Sequence, residues 1–310
     1  MRIAFLGTPE FAVPSLRMLI RSGHTLCVFT QPDKPQGRHA QLTPPPVKTE
    51  ALRHCIPVRQ PARIRSEEGV AMLREFAPDL MVTAAFGQIL SAENLSIPPH
   101  GCINVHGSLL PKYRGAAPIQ WAVIDGEKKT GVTTMYTALG LDTGDILLHR
   151  EIDILPDETA GELYPRMAEL GARVLEETIA RLMDGTLTRT PQDEALATKC
   201  SVLKKEDGKL DFHKSAQEVH DRVRGVNPWP GAYGMMGLES FKIWRTRVAD
   251  VALPQGAEPG ECFGDAKCGL FIACGDGRAV EVLEVQIPGC KRMQSKACMC
   301  GRRLAGLVLT

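Results

Sequence analysis

Short apolar runs alternate with amphipathic, helix-like segments through the first 185 residues of the chain. The run Leu80–Phe86 has no polar alternation, which is typical of a central strand covered on both faces. Ser66 followed by Glu67 and Glu68 predicts the beginning of a helix, because a serine hydroxyl caps the first turn and acidic side chains favour its positive end. This alternation predicts an α/β fold with a Rossmann-like, mainly parallel sheet and helices on both faces. The predicted strands are 2–6, 25–30, 80–86, 102–105, 131–137 and 145–154, and the predicted helices are 10–21, 47–54, 66–76 and 161–184.

A different pattern begins after residue 185, where a polar stretch is followed by short strand-like segments separated by turn pairs such as Asp276-Gly277. Short strands at this spacing predict a small C-terminal β-barrel of the OB-like kind, with one helix. We interpret Trp229, between two prolines, as a packing residue between the two domains. The predicted division is a catalytic domain 1–187, a linker 188–204 and a β-barrel domain 205–310. Within the barrel domain the predicted strands are 240–244, 247–251, 269–273 and 279–286, and the predicted helix is 215–223.

The first turn, Gly7-Thr8-Pro9-Glu10, is the place where a Rossmann-like sheet would bind a dinucleotide. It lacks the second and third glycines of the G-x-G-x-x-G fingerprint, and Glu10 would face a phosphate. A nicotinamide or flavin enzyme is therefore disfavoured, and the sheet is predicted to serve another chemistry.

Composition is ordinary for a globular protein, with 44% hydrophobic and 24% charged residues and a net charge of +1. The charge is unevenly distributed, since the last twenty residues contain five basic and no acidic side chains. Such a patch fits a polyanionic partner, although a solvated surface would look the same. The ten cysteines form no CxxC pair, so we expect reduced, mostly buried thiols and no metal. No apolar run approaches the roughly 18 residues of a membrane span, and the N-terminus has no signal peptide, which together predict a cytoplasmic protein.

The candidate chemistry lies in the stretch INVHGSLLPKYRGAAPIQ, residues 103–120. If the strand continues to His106, its period of two places Asn104 and His106 on one face, at the end of the strand where open α/β sheets bind ligands. Asp142 follows in a glycine-rich turn, where it could orient the histidine or accept a proton. A turn-capping aspartate would have the same local pattern.

Several motifs together resemble the methionyl-tRNA formyltransferases. They are CINVHGSLLPKYRGAAPIQWAVIDG (102–126), GLDTGDIL (140–147), FTQPDKPQGR (29–38) with PPPVK (44–48), and NPWPGAY (227–233). The Asn-x-His…Asp set alone is similar to the wider group of formyltransferases that use 10-formyltetrahydrofolate. The loop QPDKPQGR (31–38), the helix segment APIQ (117–120) and NPWP (227–230) narrow the resemblance to enzymes that act on tRNA.

The resemblance implies transfer of a formyl group from 10-formyltetrahydrofolate, without a metal, to the amino group of methionine on initiator tRNA. It implies that Asn104 and His106 stabilise the oxyanion that forms during attack, and that Asp142 tunes the histidine and assists proton removal. By the same resemblance the backbone around 86–89 and 139–142 would line the pterin pocket. The folate-contacting loop would be Ser108, Leu109, Leu110 and Pro111, and the residues in contact with tRNA would be Arg38, Arg302 and Arg303. We expect a monomer.

Two alternatives stay open at this point. A related folate-dependent enzyme acting on a small amine, such as a nucleotide sugar or glycinamide ribonucleotide, would share Asn104, His106 and Asp142. A nucleic-acid-binding module without turnover could also keep the same sheet. One departure from the family concerns the loop after Arg38, which continues with His39-Ala40-Gln41-Leu42 in place of a basic stretch, and this weakens its expected grip on phosphate.

Overall fold

The strands at the centre of the N-terminal half are buried along almost their whole length, as a sheet covered on both faces requires. The computed structural model of the protein describes residues 1–36 and 41–310. The strands are β1 (Arg2–Gly7), β2 (Thr25–Phe29), β3 (Lys34–Gln36), β4 (Gln41–Thr43), β5 (Val58–Arg59), β6 (Leu80–Ala84), β7 (Cys102–His106), β8 (Arg114–Gly115), β9 (Lys129–Tyr136), β10 (Ile146–Asp153), β11 (Lys199–Cys200), β12 (Ala232–Met236), β13 (Glu239–Ala249), β14 (Cys262–Asp265), β15 (Gly269–Ala273), β16 (Ala279–Gln286) and β17 (Met293–Gln294).

The helices begin at sequence signals that act locally. Ser66 caps α3 by accepting a hydrogen bond from the backbone of Gly69, as its position before two acidic residues predicts. Prolines at the first turn begin α1, α2 and α5, where a missing N–H leaves no bond unmade. The helices are α1 (Val13–Arg21), α2 (Pro46–Arg53), α3 (Glu67–Phe76), α4 (Ala92–Leu95), α5 (Pro118–Ile124), α6 (Ala160–Met183), α7 (Ala216–Gly225) and α8 (Ser295–Gly301).

Contacts divide the chain into two compact units whose segments interleave along the sequence. The first unit comprises Met1–Gly115, Thr130–Ile152 and Tyr164–Cys200, and the second comprises Ala116–Lys129, Asp153–Leu163 and Ser201–Thr310. The predicted domain boundaries at 187 and 204 stay predictions, but residues 188–200 contact the first unit and do not form an isolated connection.

The first unit contains a sheet of order β10-β9-β7-β6-β1-β2-β5. The pairs β2–β5, β1–β2, β1–β6 and β6–β7 are parallel, whereas β7 and β9 are antiparallel. The predicted mainly parallel, Rossmann-like sheet is thereby confirmed. Gly171 of α6 lies so close to β7 that a Cβ there would be 2.9 Å from Cγ1 of Val105. The long helix therefore presses directly on the back of the strand that carries Asn104 and His106.

The second unit is built on antiparallel strands in the order β12-β13-β16-β15-β14, with β17 beside β16. The closing segment, residues 306–310, bonds to both outer strands. Met235 and Thr310 exchange two backbone hydrogen bonds of 2.6 and 3.0 Å, and the Leu307 carbonyl accepts from Cys262 at 2.7 Å. This segment therefore joins β12 to β14 and completes the predicted small β-barrel.

Three expectations about local structure need correction. The predicted strands 240–244 and 247–251 are one strand, β13, because a bulge around Trp244 and Arg245 shifts the inward-facing set without ending the strand. Between residues 30 and 47, where no strand was predicted, β3 and β4 form a short antiparallel pair. The packing interpretation of Trp229 is wrong, because the turn between Pro228 and Pro230 leaves 54% of this residue exposed.

Candidate active site

Asn104 and His106 lie at the carboxyl end of β7, between β6 and β9. The strand continues to His106, so the two side chains share one face as predicted. Their neighbours across the sheet are threonines: Thr83 pairs with Asn104, and Thr133 pairs with His106. His106 is buried and Asn104 is partly exposed, so of the two side chains Asn104 is the more accessible to a ligand.

The orientation of the Asn104 amide is set by Thr83. The Thr83 hydroxyl donates to Oδ1 of Asn104 at 2.9 Å. Because the amide oxygen is occupied by this bond, the Nδ2 group with its two hydrogens faces the other way. Nδ2 makes no hydrogen bond within residues 1–36 and 41–310, so it is available as a donor to a bound group.

The His106 ring has two different partners. Its Nε2 lies 2.9 Å from the carbonyl oxygen of Tyr113, and since a carbonyl can only accept, Nε2 carries a hydrogen. Its Nδ1 lies 3.7 Å from Oδ2 of Asp142, which is longer than a hydrogen bond. In the neutral ring Nδ1 is then the unprotonated nitrogen, and a proton accepted there would lie beside a carboxylate.

Asp142 reaches the histidine from the turn between β9 and β10. Its backbone is left-handed, with φ 51°, a conformation that aspartate tolerates better than most residues. Its Oδ2 accepts from the backbone N–H of Gly115 at 2.8 Å. The carboxylate therefore crosses to the loop after β7 and is more than a local turn cap. Only glycine suits position 115, where φ is +127° and a Cβ would be 2.1 Å from the Cys200 carbonyl.

The loop that the resemblance assigns to folate follows directly. The Thr133 hydroxyl donates to the Ser108 carbonyl at 2.7 Å and itself accepts from the Leu110 N–H at 3.1 Å. Ser108 is fully buried, while Leu109 and Pro111 are partly exposed. The assignment of all four residues to folate stays a prediction. Burial gives Ser108 a supporting position in the loop and leaves Leu109 and Pro111 as the surface that a ligand can reach.

Two further loops were predicted to line a pterin pocket. In the first, the Phe86 carbonyl accepts from the Thr8 hydroxyl at 2.9 Å and from Nε2 of Gln31 at 3.1 Å, which fixes the backbone after β6. Apolar side chains on these loops are largely exposed: Ile89, Leu139 and Leu141. Exposed apolar groups beside a polar site are what a flat aromatic ligand would cover.

Sequence reasoning missed the segment between α6 and β11, which holds the loop after β7 in place. The Thr198 hydroxyl accepts from the Tyr113 N–H at 2.8 Å, and the Thr198 carbonyl accepts from the Arg114 N–H at 2.9 Å. The thiol of Cys200 also contacts the Tyr113 carbonyl, at 3.4 Å. The backbone of Tyr113, whose carbonyl accepts the hydrogen bond from His106, is thus held by a segment about 85 residues away. The two-residue strands β8 and β11 have no periodicity that could have revealed this.

The residues predicted to contact tRNA lie in different parts of the chain. Arg302 and Arg303 are exposed just after α8, where Nη2 of Arg302 lies 3.7 Å from the Cys290 sulfur. Arg292, in the same basic segment, is paired with Glu284, so part of that segment's charge is neutralised. Arg38 lies outside the described residues.

The remaining predicted absences concern metals and membranes. All ten cysteines are free thiols. Across the described parts of the chain, no group of three histidine, cysteine, aspartate or glutamate side chains could hold a metal ion. Within the same ranges, no helix combines the length and the apolar character that crossing a bilayer requires.

Comparison with known proteins identifies the families of both units. The formyl transferase family matches residues 1–179, and the formyl transferase C-terminal domain family matches residues 202–303. A structure of an N-formyltransferase from Helicobacter canadensis, in complex with folinic acid and dTDP-3-aminofucose, superposes with a TM-score of 0.69 at 20% identity, covering 90% of this chain and 98% of that one. A sugar 3N-formyl transferase solved with dTDP and 5-N-formyl-THF gives the same TM-score at 20% identity, covering 94% and 99%. At this identity the likeness shows the fold alone.

Fold, motifs and family matches define the chain as a formyl transferase of two units. It is 50% identical over 305 residues to the methionyl-tRNA formyltransferase of Ruminiclostridium cellulolyticum, covering 98% of this chain and 97% of that protein. It is 48% identical to the enzyme of the same name from Geobacter metallireducens, covering 97% and 96%. The chain belongs to the methionyl-tRNA formyltransferase family.

Proposed function

We propose that this protein transfers the formyl group of 10-formyltetrahydrofolate to the amino group of methionine on initiator tRNA. Membership of the family over nearly the whole chain supports this activity. The observation that carries the chemistry is the orientation of Asn104, whose oxygen is held by Thr83 while its N–H groups stay available. An amide donor held in advance is what a developing oxyanion needs.

In the reaction the amine nitrogen attacks the formyl carbon, and the carbonyl electrons move onto the oxygen. Asn104 donates to that oxygen through Nδ2. The electron pair on the oxyanion then re-forms the carbonyl as the bond between the formyl carbon and N10 of the folate breaks. The amine must lose one proton, and N10 must gain one as it leaves.

His106 is the group placed to move that proton. Its Nε2–H is committed to the Tyr113 carbonyl, so Nδ1 is the nitrogen that accepts. The Asp142 carboxylate, 3.7 Å from Nδ1, stabilises the imidazolium that forms. The proton can then pass to N10. Asn104 is then the oxyanion donor that the resemblance implies, whereas His106, which the resemblance also assigns to the oxyanion, is the acid–base group in this proposal, with Asp142 in support.

The test is formyl transfer by Asn104→Ala and His106→Ala, with His149→Ala as control because His149 is an exposed histidine on β10. We expect both site variants to remain folded and to lose about 10²-fold or more in rate. The control should keep normal turnover. Near-normal turnover in either site variant would remove that residue from the mechanism.

Substrate class is tested in the same assay. Initiator methionyl-tRNA should be formylated in preference to elongator methionyl-tRNA and to a nucleotide-linked amino sugar or glycinamide ribonucleotide. Faster transfer to either small amine would overturn the tRNA assignment. For tRNA contact we propose the second unit, through Arg302 and Arg303, because each phosphate bound by a basic side chain releases counterions. The cytoplasmic location and the monomeric state remain predictions from the sequence.

A further inference from the structure

Gln192 lies in the segment between α6 and β11 and contacts the turn that carries Asp142. Its Nε2 donates to the carbonyl oxygen of Asp142 at 2.8 Å and to that of Gly144 at 2.7 Å. Both amide hydrogens are thereby directed at the backbone on either side of residue 143. Position 144 requires glycine, because a Cβ there would be 1.6 Å from the Tyr136 carbonyl.

Arg114 fixes which way the Gln192 amide points. Nε of Arg114 donates to Oε1 of Gln192 at 3.0 Å, so the amide nitrogen must face the two carbonyls. The guanidinium is held in turn by two bonds to Glu194, of 2.9 and 2.7 Å. The Arg114 side chain is 3% exposed and that of Glu194 is 71% exposed. The hydrogen bonds that Arg114 donates to Glu194 raise the pKa of Arg114, so the guanidinium keeps its charge and its donors.

Asp142 is otherwise held at few points. Its carboxylate accepts from the Gly115 N–H, and its backbone is in the left-handed region. Leu139 and Leu141, next to it in the turn, are exposed and supply no packing. Movement of this turn would change the distance of 3.7 Å between Oδ2 of Asp142 and Nδ1 of His106. The Tyr136 N–H also closes the turn by donating to the Asp145 carbonyl at 2.9 Å, but the two bonds from Gln192 act directly on the carbonyls of Asp142 and Gly144 and so restrain the backbone that sets this distance.

We propose that Gln192 is a positioning residue for Asp142, oriented by Arg114, and that it acts on formyl transfer only through the placement of the Asp142 carboxylate beside His106. This inference rests on the role of Asp142 in the proposed function. Gln192 is not assigned any contact with substrate.

Two substitutions separate positioning from space filling. Gln192→Ala removes both donors. Gln192→Glu keeps the size and can still pair with Arg114, but it turns a carboxylate oxygen toward two carbonyls and cannot donate to them. We expect both variants to reduce kcat about tenfold or more while the KM values for folate and tRNA change less than threefold. The matched control is Gln255→Glu, the same substitution at an exposed glutamine of the second unit, which should retain normal kcat.

Thermal melting should show all three variants folded. If Gln192→Ala does not fold, the comparison of Gln192→Glu with Gln192→Asn, whose shorter amide cannot reach both carbonyls, takes its place. A normal kcat in Gln192→Glu would overturn the proposal, because it would show that the shape of the side chain is sufficient.

A double-mutant cycle identifies the route of the effect. In the Asp142→Asn background, Gln192→Ala should reduce kcat less than twofold further, since the carboxylate it positions is already gone. A further loss as large as in the wild-type background would overturn the proposal. If Asp142→Asn alone has normal kcat, the role of Asp142 in the proposed function is wrong. If Asp142→Asn is slow but the Gln192 variants have normal kcat, only the positioning role of Gln192 is wrong.

Discussion

Replacing Thr83 by valine tests whether the orientation of the Asn104 amide matters for catalysis. Valine has nearly the shape of threonine but no hydroxyl, so Oδ1 of Asn104 loses its donor at 2.9 Å while the packing of β6 is kept. The amide can then rotate and present either end to the substrate. Thr83→Ser is the matched control, because it keeps the hydroxyl and loses only a methyl group.

The size of the effect follows from one neutral hydrogen bond. Such a bond contributes about 0.5–1.5 kcal/mol net, which corresponds to roughly 2- to 12-fold in the preference for the productive orientation. Asn104 is partly exposed, so water can replace the lost donor and no larger penalty is expected. The loss should therefore be clearly smaller than the roughly 10²–10³-fold typical of removing an oxyanion donor outright.

The assay is single-turnover formyl transfer with both substrates saturating, which isolates the chemical step. We expect Thr83→Val to slow this step about 2- to 12-fold and Thr83→Ser to restore most of it. The reasoning fails if the valine variant is as fast as the wild type, or if the serine variant is as slow as the valine variant. A loss equal to that of Asn104→Ala would show that Thr83 takes part in the chemistry directly.

Three further predictions concern other parts of the chain. Changing Arg302 and Arg303 to glutamine should raise KM for tRNA, spare KM for folate, and lower the slope of log affinity against log salt by about 1–2; an unchanged slope would place the phosphate contacts elsewhere. The hydrogen bond from Arg17 holds the pKa of Glu50 below its ordinary 4.5. The ion pair therefore stabilises the fold fully above pH 4.5, and this stabilisation is lost as the pH falls through the lowered pKa. Glu50→Gln should accordingly lower Tm at pH 7, and the difference should shrink toward pH 3. Burial raises the pKa of the Cys102 thiol to about 12, so peptide mapping after alkylation at pH 8 should find it unmodified while the exposed thiols react.

The sheet and the faces of its strands could be predicted because each depends on local periodicity. β15 and β16 have the predicted bounds, and β7 extends to His106 as its pattern indicated. The period of two also placed Asn104 and His106 together. Where a bulge changes the period, as around Trp244 in β13, local reasoning divided one strand into two.

The supporting contacts of the site could not be predicted, because they join distant parts of the chain. Thr83 is one polar residue in an apolar strand, and its relation to Asn104 depends on which strands are neighbours and in which register. Gln192 lies 50 residues beyond Asp142, in a polar stretch that resembles a linker. Neither periodicity nor composition distinguishes such a residue from solvated surface.

The closing segment of the barrel has a consequence for the synthesis of the protein. β12 leaves the ribosome before its outer partner, because the roughly seventy residues between β12 and the closing segment take roughly 4–14 s to translate. During this time the backbone groups of Met235 on its outer edge lack Thr310, although the Tyr233 carbonyl can already accept from the Leu210 N–H, and unpaired strand edges recruit other chains. β12 is Ala-Tyr-Gly-Met-Met, without a charged side chain, so in every round of synthesis its short length is what limits such pairing, and the stability of the finished barrel does not. A substitution that makes β12 more apolar could lower the yield of folded protein while leaving the Tm of the purified protein unchanged.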